Sequence, residues 1–502
     1  MIQNATWKMR FLLGAGLMGM IFAAFPARAQ TLPEAQRLFT PAELRADFAA
    51  MYQGLKSATY NLYAFTSKED LDRAYRNALG ALNKPLTLLK AQVRFEEFAS
   101  LIRMGHARVS SPAAAWSQYL TAGGRAFPLA IRVMEGKVTI AQNQSGLEEI
   151  APGDEIVTMN GTSMAAWLKR TERHVSAETP YMAHSLMEYD FPMYLWVELG
   201  DVAGFDVVVR KSGGKRQKVR VPARTSSEMK ALAGKQPASL NLEEPMREAK
   251  ILADNIGYLR PGPFYNAEAK TGAEQWDVSG FRAFIDGAFD KFKTAQVDRL
   301  IIDLRGNPGG DNLFSDVMVA WFADKPFRFF SQFKVRVSPE STKANGDRLQ
   351  NDAAAAGPVS RQYAEMYAKA KPGDVVDFDL PLVEPRQEER YRGKVFVLID
   401  RQSYSNTVAV AALVQDYKFG QILGEETSDM ATTYGAMEQF KLPNTGLSVG
   451  YPKAHIVRPN GDLRPRGVTP DIAIRIPAVE TPADEVLQRA VAIARESQGQ
   501  AE

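Results

Sequence analysis

Cysteine is absent from all 502 residues. No disulfide, thiol nucleophile, lipid-anchoring cysteine or cysteine-ligated metal can therefore be built from this chain. A chain of this length does not need such staples, because it is long enough for two or three domains with cores of their own. Histidine is scarce: only His106, His174, His184 and His455 occur. Long apolar runs are missing as well. The best candidate, Phe11–Phe25, is too short for a comfortable membrane span. It follows Lys8 and Arg10 and precedes Ala27-Arg28-Ala29. That is the layout of a secretory signal with an A-x-A cleavage site, so residues 1–29 are expected to be removed. The expected location is the bacterial periplasm or the exterior, with no stable membrane anchor after cleavage. Nor does one sign of charge dominate. The formal net charge is +3, and Lys8, Arg10 and Arg28 in the acid-free leader account for it. A mature chain near zero gives no basis for a nucleic-acid partner. No metal, nucleotide or other cofactor is implied.

Two stretches carry chemistry. In GKVFVLIDRQSYSNTVAVAALVQ, residues 393–415, Val395–Ile399 is an apolar, β-branched run that reads as a buried strand. From Ser405 onward, Val408, Ala411, Ala412 and Gln415 recur at helical spacing. A serine at such a strand-to-helix turn lies at a sheet rim, facing the positive end of a helix and its bare N–H groups. That suits a nucleophile whose transition state develops an oxyanion; a simple N-cap would read the same way. In LIIDLRGNPGGDN, residues 300–312, a second buried strand runs into Gly306-Asn307-Pro308-Gly309-Gly310. So little side-chain bulk lets backbone amides approach a ligand, although a plain tight turn also fits. One strand end with bare amides and another with a serine make the two halves of an acyl-transfer site.

LIIDLRGNPGG, then GKVFVLIDRQSYSNTVAVAALVQDY, GEET and RGVTPDI, stand in an order that resembles the S41-type serine peptidases. These are the tail-specific or C-terminal processing proteases, with the related tricorn-core-like branch that pairs serine with histidine. The resemblance covers residues 250–475 best. It implies an α/β fold: a ClpP/crotonase-like β-β-α core with an N-terminal helical region and a PDZ-like domain. It also implies a peptide or protein substrate.

The remaining segments fit that plan. Residues 30–120 carry apolar positions at three- and four-residue spacings, with Thr40 and Ser67 as caps. They end in Gly105-His106, which matches the Gly-His step whose histidine is the general base in the Ser–His branch. Residues 121–225 read as short strands around a helical insertion from Ser163 to about Leu195. Within them, Leu147–Gly161 resembles a PDZ stretch, which implies strand-addition binding of peptide ends. Residues 226–247 read as a linker, and 248–478 as the catalytic core. Inside it, segment 335–392 is long and charged and could cover the cleft. Residues 479–502 form a C-terminal helix and tail.

The departures from the family pattern concern the catalytic partners. Where the tail-specific branch has a basic lysine, this chain has Met430, whose thioether cannot take a proton. Where the tricorn-like branch has a glutamate before G-V-x-P-D, this chain has Arg464. The resemblance thus leaves Ser405 as nucleophile, His106 as base, and Gly309, Gly310 and Asn406 as oxyanion donors. Asp416 is a supporting acid. The third catalytic member is expected at Glu426, with Glu425, Asp429 and Asp462 as alternatives. The expected activity is that of a serine endopeptidase. A catalytically silent peptide- or ligand-binding protein and an acyl hydrolase of a non-peptide substrate are the competing expectations.

Overall fold

The β-branched runs that read as buried strands lie side by side. In the computed structural model, which describes residues 37–233, 247–270, 274–351, 357–387, 390–479 and 483–497, Arg299–Asp303 pairs in parallel with Lys394–Ile399, Ile301 facing Phe396. The expected leader and most of the expected linker lie outside the described residues. The described part of that linker includes a helix, Ser226–Ala233. Polar sequence without an evident period concealed one short amphipathic segment.

Six strands form the central sheet. Glu248–Ile251 joins Ile256–Arg260 as an antiparallel edge pair. The next strands, Arg299–Asp303, Lys394–Ile399, Gln421–Gly424 and Ile472–Ala473, continue in parallel. Parallel strands need helical crossovers and covered faces. One face is covered by Ser279–Thr294, Asn312–Val319 and Asn406–Tyr417, whose Phe281, Phe289, Phe314, Val410 and Leu413 are buried there. The C-terminal helix Glu485–Glu496 covers the other with Val486, Ala490 and Ile493. This is the α/β core that the family resemblance implies.

A second sheet of six strands is built from residues 129–222. Leu129–Met134 and Lys137–Asn143 form its first hairpin, and Gly204–Arg210 and Arg216–Pro222 its last. Between them lie Met164–Thr171 and the long helix Pro180–Leu199. The buried cluster of this unit includes Tyr404, the residue before Ser405. The second unit is thus packed against the serine turn itself.

A long hairpin, Thr433–Lys441 with Ser448–Val457, brings distant parts of the chain together. The sequence reading did not anticipate it, although TYGAMEQFK followed by Asn444-Thr445-Gly446 carries a hairpin signature. Its Leu442, Leu447, Val449 and Tyr451 complete the core of the N-terminal helices Pro41–Ala58, Lys68–Ala81 and Leu88–Ser100. Thr40 and Ser67 cap the first two helices as expected. The same hairpin pairs with Arg108–Val109, which fixes the Gly105-His106 turn relative to the sheet. Segment 335–392 is not one open stretch. It holds helices Pro339–Asn351 and Gly357–Lys369, and Tyr363, Tyr367 and Phe378 of this region pack with Val335 and Ile456.

Candidate active site

Ser405 occupies the N-cap position of helix Asn406–Tyr417, but its side chain makes no capping hydrogen bond. Its backbone has φ 55° and ψ −123°. A non-glycine residue held there carries about 1–3 kcal/mol of strain, and such strain collects at functional turns. The turn is held by hydrogen bonds from several directions. Asp429 Oδ2 accepts the Ser405 N–H at 2.6 Å. Tyr404 N–H donates to the Asn307 carbonyl at 3.0 Å. Ser403 Oγ donates to the Leu304 carbonyl at 2.9 Å. Asp400, buried at the strand end, accepts the N–H groups of Gly306 and Gln402, each at 3.0 Å. The glycine-rich turn and the serine turn are therefore one assembly.

Gly309 shows why that turn has no side chains. A Cβ there would sit 2.6 Å from the Tyr404 carbonyl oxygen and 2.9 Å from Ser405 Cβ, at φ +89°. The expected oxyanion donors separate on inspection. The Gly309 N–H donates to Asn307 Oδ1 at 3.0 Å, so that amide is already committed. The N–H groups of Gly310 and Asn406 have no protein partner among the described residues. The same hypothetical Cβ would lie 2.8 Å from Asn406 N, so that amide opens at the Gly309–Ser405 contact.

His106 lies beside this turn. It is buried, and its ring stacks on that of Tyr404 at 5.6 Å and 28°. Burial holds its pKa below the usual imidazole value. Asp429 opposes that shift, Arg108 adds to it, and a backbone hydrogen bond at Tyr434 opposes it. Its Nδ1 is buried with no hydrogen-bond partner among the described residues. Asp429 is fully buried, and burial raises its pKa; His106, the N–H groups of Ser405 and Met430, and Arg108 pull it back.

The acid beside His106 is thus Asp429 rather than Glu426. The Glu426 carbonyl accepts from Tyr181 Oη at 2.9 Å, and the half-buried side chain has no described bond to His106. Glu425 is committed to Arg401 at 2.6 Å. Asp462 pairs with Arg464 at 2.6 Å. Asp416 lies at the far end of the serine helix, where it binds Arg458 at 2.7 Å and Asn460 at 2.9 Å. Its role there is to clasp the end of the long hairpin to the helix. Asp429 was one of four acids the sequence left open; what selects it is the fold of its loop. Gly467 of RGVTPD packs flush on Thr427, two residues before Asp429, with no room for a Cβ.

Helix Pro180–Leu199 of the second unit braces the site through one stripe. Glu178, just ahead of it, accepts the Gly105 N–H at 3.1 Å. Tyr181 holds Glu426 as described, and Ser185 Oγ donates to the Arg401 carbonyl at 3.0 Å. Glu188 accepts from Arg401 at 3.0 Å and from Gln402 at 3.3 Å. Spacings of three and four place these residues on one helix face. Nothing in the family motifs pointed to them, because they lie in the inserted unit. One group among the described residues has the spacing of a metal cage, Glu97, His174 and Glu198. Arg170 and Arg173 pair with its carboxylates and compete with a cation there.

Two amides without a protein acceptor among the described residues, a serine in a strained turn and a buried imidazole near a carboxylate are the parts acyl transfer needs. Comparison with solved structures finds the same fold in CPAF. Mature CPAF in complex with lactacystin is 15% identical at a TM-score of 0.60, over 91% of this chain and 97% of that one. The photosystem II D1 C-terminal processing protease is 15% identical at a TM-score of 0.44, over 89% of this chain and 96% of that one. The tricorn protease is 13% identical at a TM-score of 0.39, over 91% of this chain but 37% of that one. No curated protein matches the sequence. The sequence profile described as peptidase family S41 matches residues 255–474, the stretch that holds both the glycine turn and Ser405. Over those residues the chain carries the sequence pattern of peptidase family S41.

Proposed function

We propose that the chain is an exported serine endopeptidase in which Ser405 attacks the scissile carbonyl and His106 is the general base. The observation that carries this reading is the place of Asp429, which acts on both members of the pair, on one by a hydrogen bond and on the other by its charge. It binds the Ser405 amide at 2.6 Å, and its charge is the main influence favouring protonation of the buried His106. In the acylation step the serine Oγ–C bond forms as its proton passes to His106. Collapse of the tetrahedral intermediate breaks the C–N bond, and His106 returns the proton to the leaving amine. Water then repeats the sequence to release the acid. Asp429 stabilises the imidazolium that forms in each step, and the amides of Gly310 and Asn406 receive the oxyanion.

Export to the periplasm rests on the leader-like residues 1–29. Among the described residues no helix is long and apolar enough to cross a membrane. The sheet of residues 129–222 is proposed as the PDZ-like unit that receives an extended peptide end. Fluorophosphonate labelling with peptide mapping tests the central assignment. Label on Ser405 that is lost on His106→Ala supports it; unchanged labelling in that variant removes His106 from the mechanism.

A further inference from the structure

Glu178 is 3% exposed and stands one residue before the Thr179 cap of the bracing helix. Its Oε2 accepts the N–H of Gly105, the residue before His106. Its Oε1 is buried with no hydrogen-bond partner among the described residues, and so is the hydroxyl of Tyr404. These groups approach one point: a Cβ on Gly105 would lie 2.9 Å from Tyr404 Oη and 3.4 Å from Glu178 Oε2. Tyr404 precedes Ser405 and stacks on His106. A single carboxyl thus binds the residue before the base and adjoins the residue before the nucleophile.

Asp429 occupies the same buried space, and two neighbouring buried carboxyls do not both ionise near neutral pH. The negative charge settles where it is better held. Asp429 has two backbone N–H donors, at 2.6 and 2.8 Å, with His106 and Arg108 beside it. Glu178 has the Gly105 N–H at 3.1 Å, its own N–H and the charge of Arg103, whose guanidinium donates to the Glu178 carbonyl at 3.2 Å, but burial outweighs these and Asp429 opposes its ionisation further. We infer that Glu178 is a positioning residue, a neutral carboxylic acid that holds the Gly105-His106 turn in place beside Tyr404 and leaves the anionic role to Asp429. Its pKa, pushed up to about 8 chiefly by burial and then by Asp429, agrees with a proton retained at neutral pH. The inference rests on the Ser405–His106 reading above.

The test is the rate of Ser405 acylation by a fluorophosphonate from pH 5 to 9, in wild type, Glu178→Ala, Glu178→Gln and Asp429→Asn, each checked for folding by circular dichroism. Glu178→Ala is expected to slow acylation about tenfold or more, the effect of misplacing a catalytic group. Glu178→Gln keeps the shape of a neutral acid and is expected to rescue most of that loss. It should leave the acid limb of the profile in place, whereas Asp429→Asn moves that limb. If Glu178→Ala does not fold, the Gln limb alone decides. A Gln limb displaced like that of Asp429→Asn overturns the inference, because Glu178 would then carry charge. So does a folded Ala variant that acylates at the wild-type rate. Absence of label on wild-type Ser405 is a different outcome, and it overturns the underlying Ser405–His106 reading instead.

Discussion

Asp429 Oδ2 accepts the backbone N–H of Ser405 at 2.6 Å, which ties the strained serine turn to the loop that follows the neighbouring strand. The bond links shape to charge. The carboxylate that fixes the serine backbone is also the one that favours an imidazolium at His106.

Replacing Asp429 by Asn should therefore change two things at once. Removing the charge takes away the main influence that raises the His106 pKa, so the acid limb of the pH–rate profile should move to lower pH. The plateau rate should fall by about a hundredfold or more, because the imidazolium loses its counter-charge. Arg108 acts on His106 in the opposite sense, so Arg108→Met should move the limb to higher pH. Initial rates of acylation across pH check both directions.

Gly309→Ala should abolish acylation while leaving the chain folded. The added methyl would meet the Tyr404 carbonyl at 2.6 Å, in a backbone region that costs an alanine about 1–3 kcal/mol. Relief requires displacement of the serine turn. Active-site labelling and a thermal melt separate the two effects.

Glu178 predicts a pH dependence of stability. Its folded pKa of about 8 lies above the ordinary value of 4.5. Between those values the folded chain holds a proton that the unfolded chain has released. Stability should then fall as pH rises through that window, by about 1.4 kcal/mol for each pH unit from this group. Glu178→Gln has no such proton, so its melting temperature should fall less between pH 5 and pH 8 than that of wild type.

Arg401→Met should destabilise the site more than an exposed ion-pair substitution would. The Arg401 guanidinium joins Glu188 at 3.0 Å, Glu425 at 2.6 Å and the Val133 carbonyl at 2.9 Å. Its removal leaves Glu188 buried with Arg132 as its remaining ion partner among the described residues. A loss of about 3 kcal/mol in denaturant unfolding is expected. Glu188→Gln in the same background should recover part of it.

How much of this was readable beforehand depended on whether the cause was local. The strands around Ile301 and Val397 announce themselves because β-branched runs end in turn residues, and the order of motifs does the rest. The strain at Ser405 was not readable, since a capping serine and a nucleophile turn share the same residues. Gly309 and Gly310 looked equivalent as bare amides. Only the fold shows that Asn307 consumes the first. Glu426 and Asp429 were both acids in one loop, and only the fold shows that Asp429 is the one bonded to the Ser405 amide. Glu178 was beyond reach, because its importance comes from a contact between units far apart in sequence. The hairpin of Thr433–Lys441 and Ser448–Val457 was legible in principle from its alternation and its turn.

The central claim is that Ser405 is activated by His106. It is tested most directly by the mass increment and labelled peptide after fluorophosphonate treatment of wild type, Ser405→Ala and His106→Ala. One adduct per wild-type chain, mapped to Ser405 and absent from both folded variants, is the predicted result. Folded wild type that takes no label, or a His106→Ala variant that labels as fast as wild type, would contradict it.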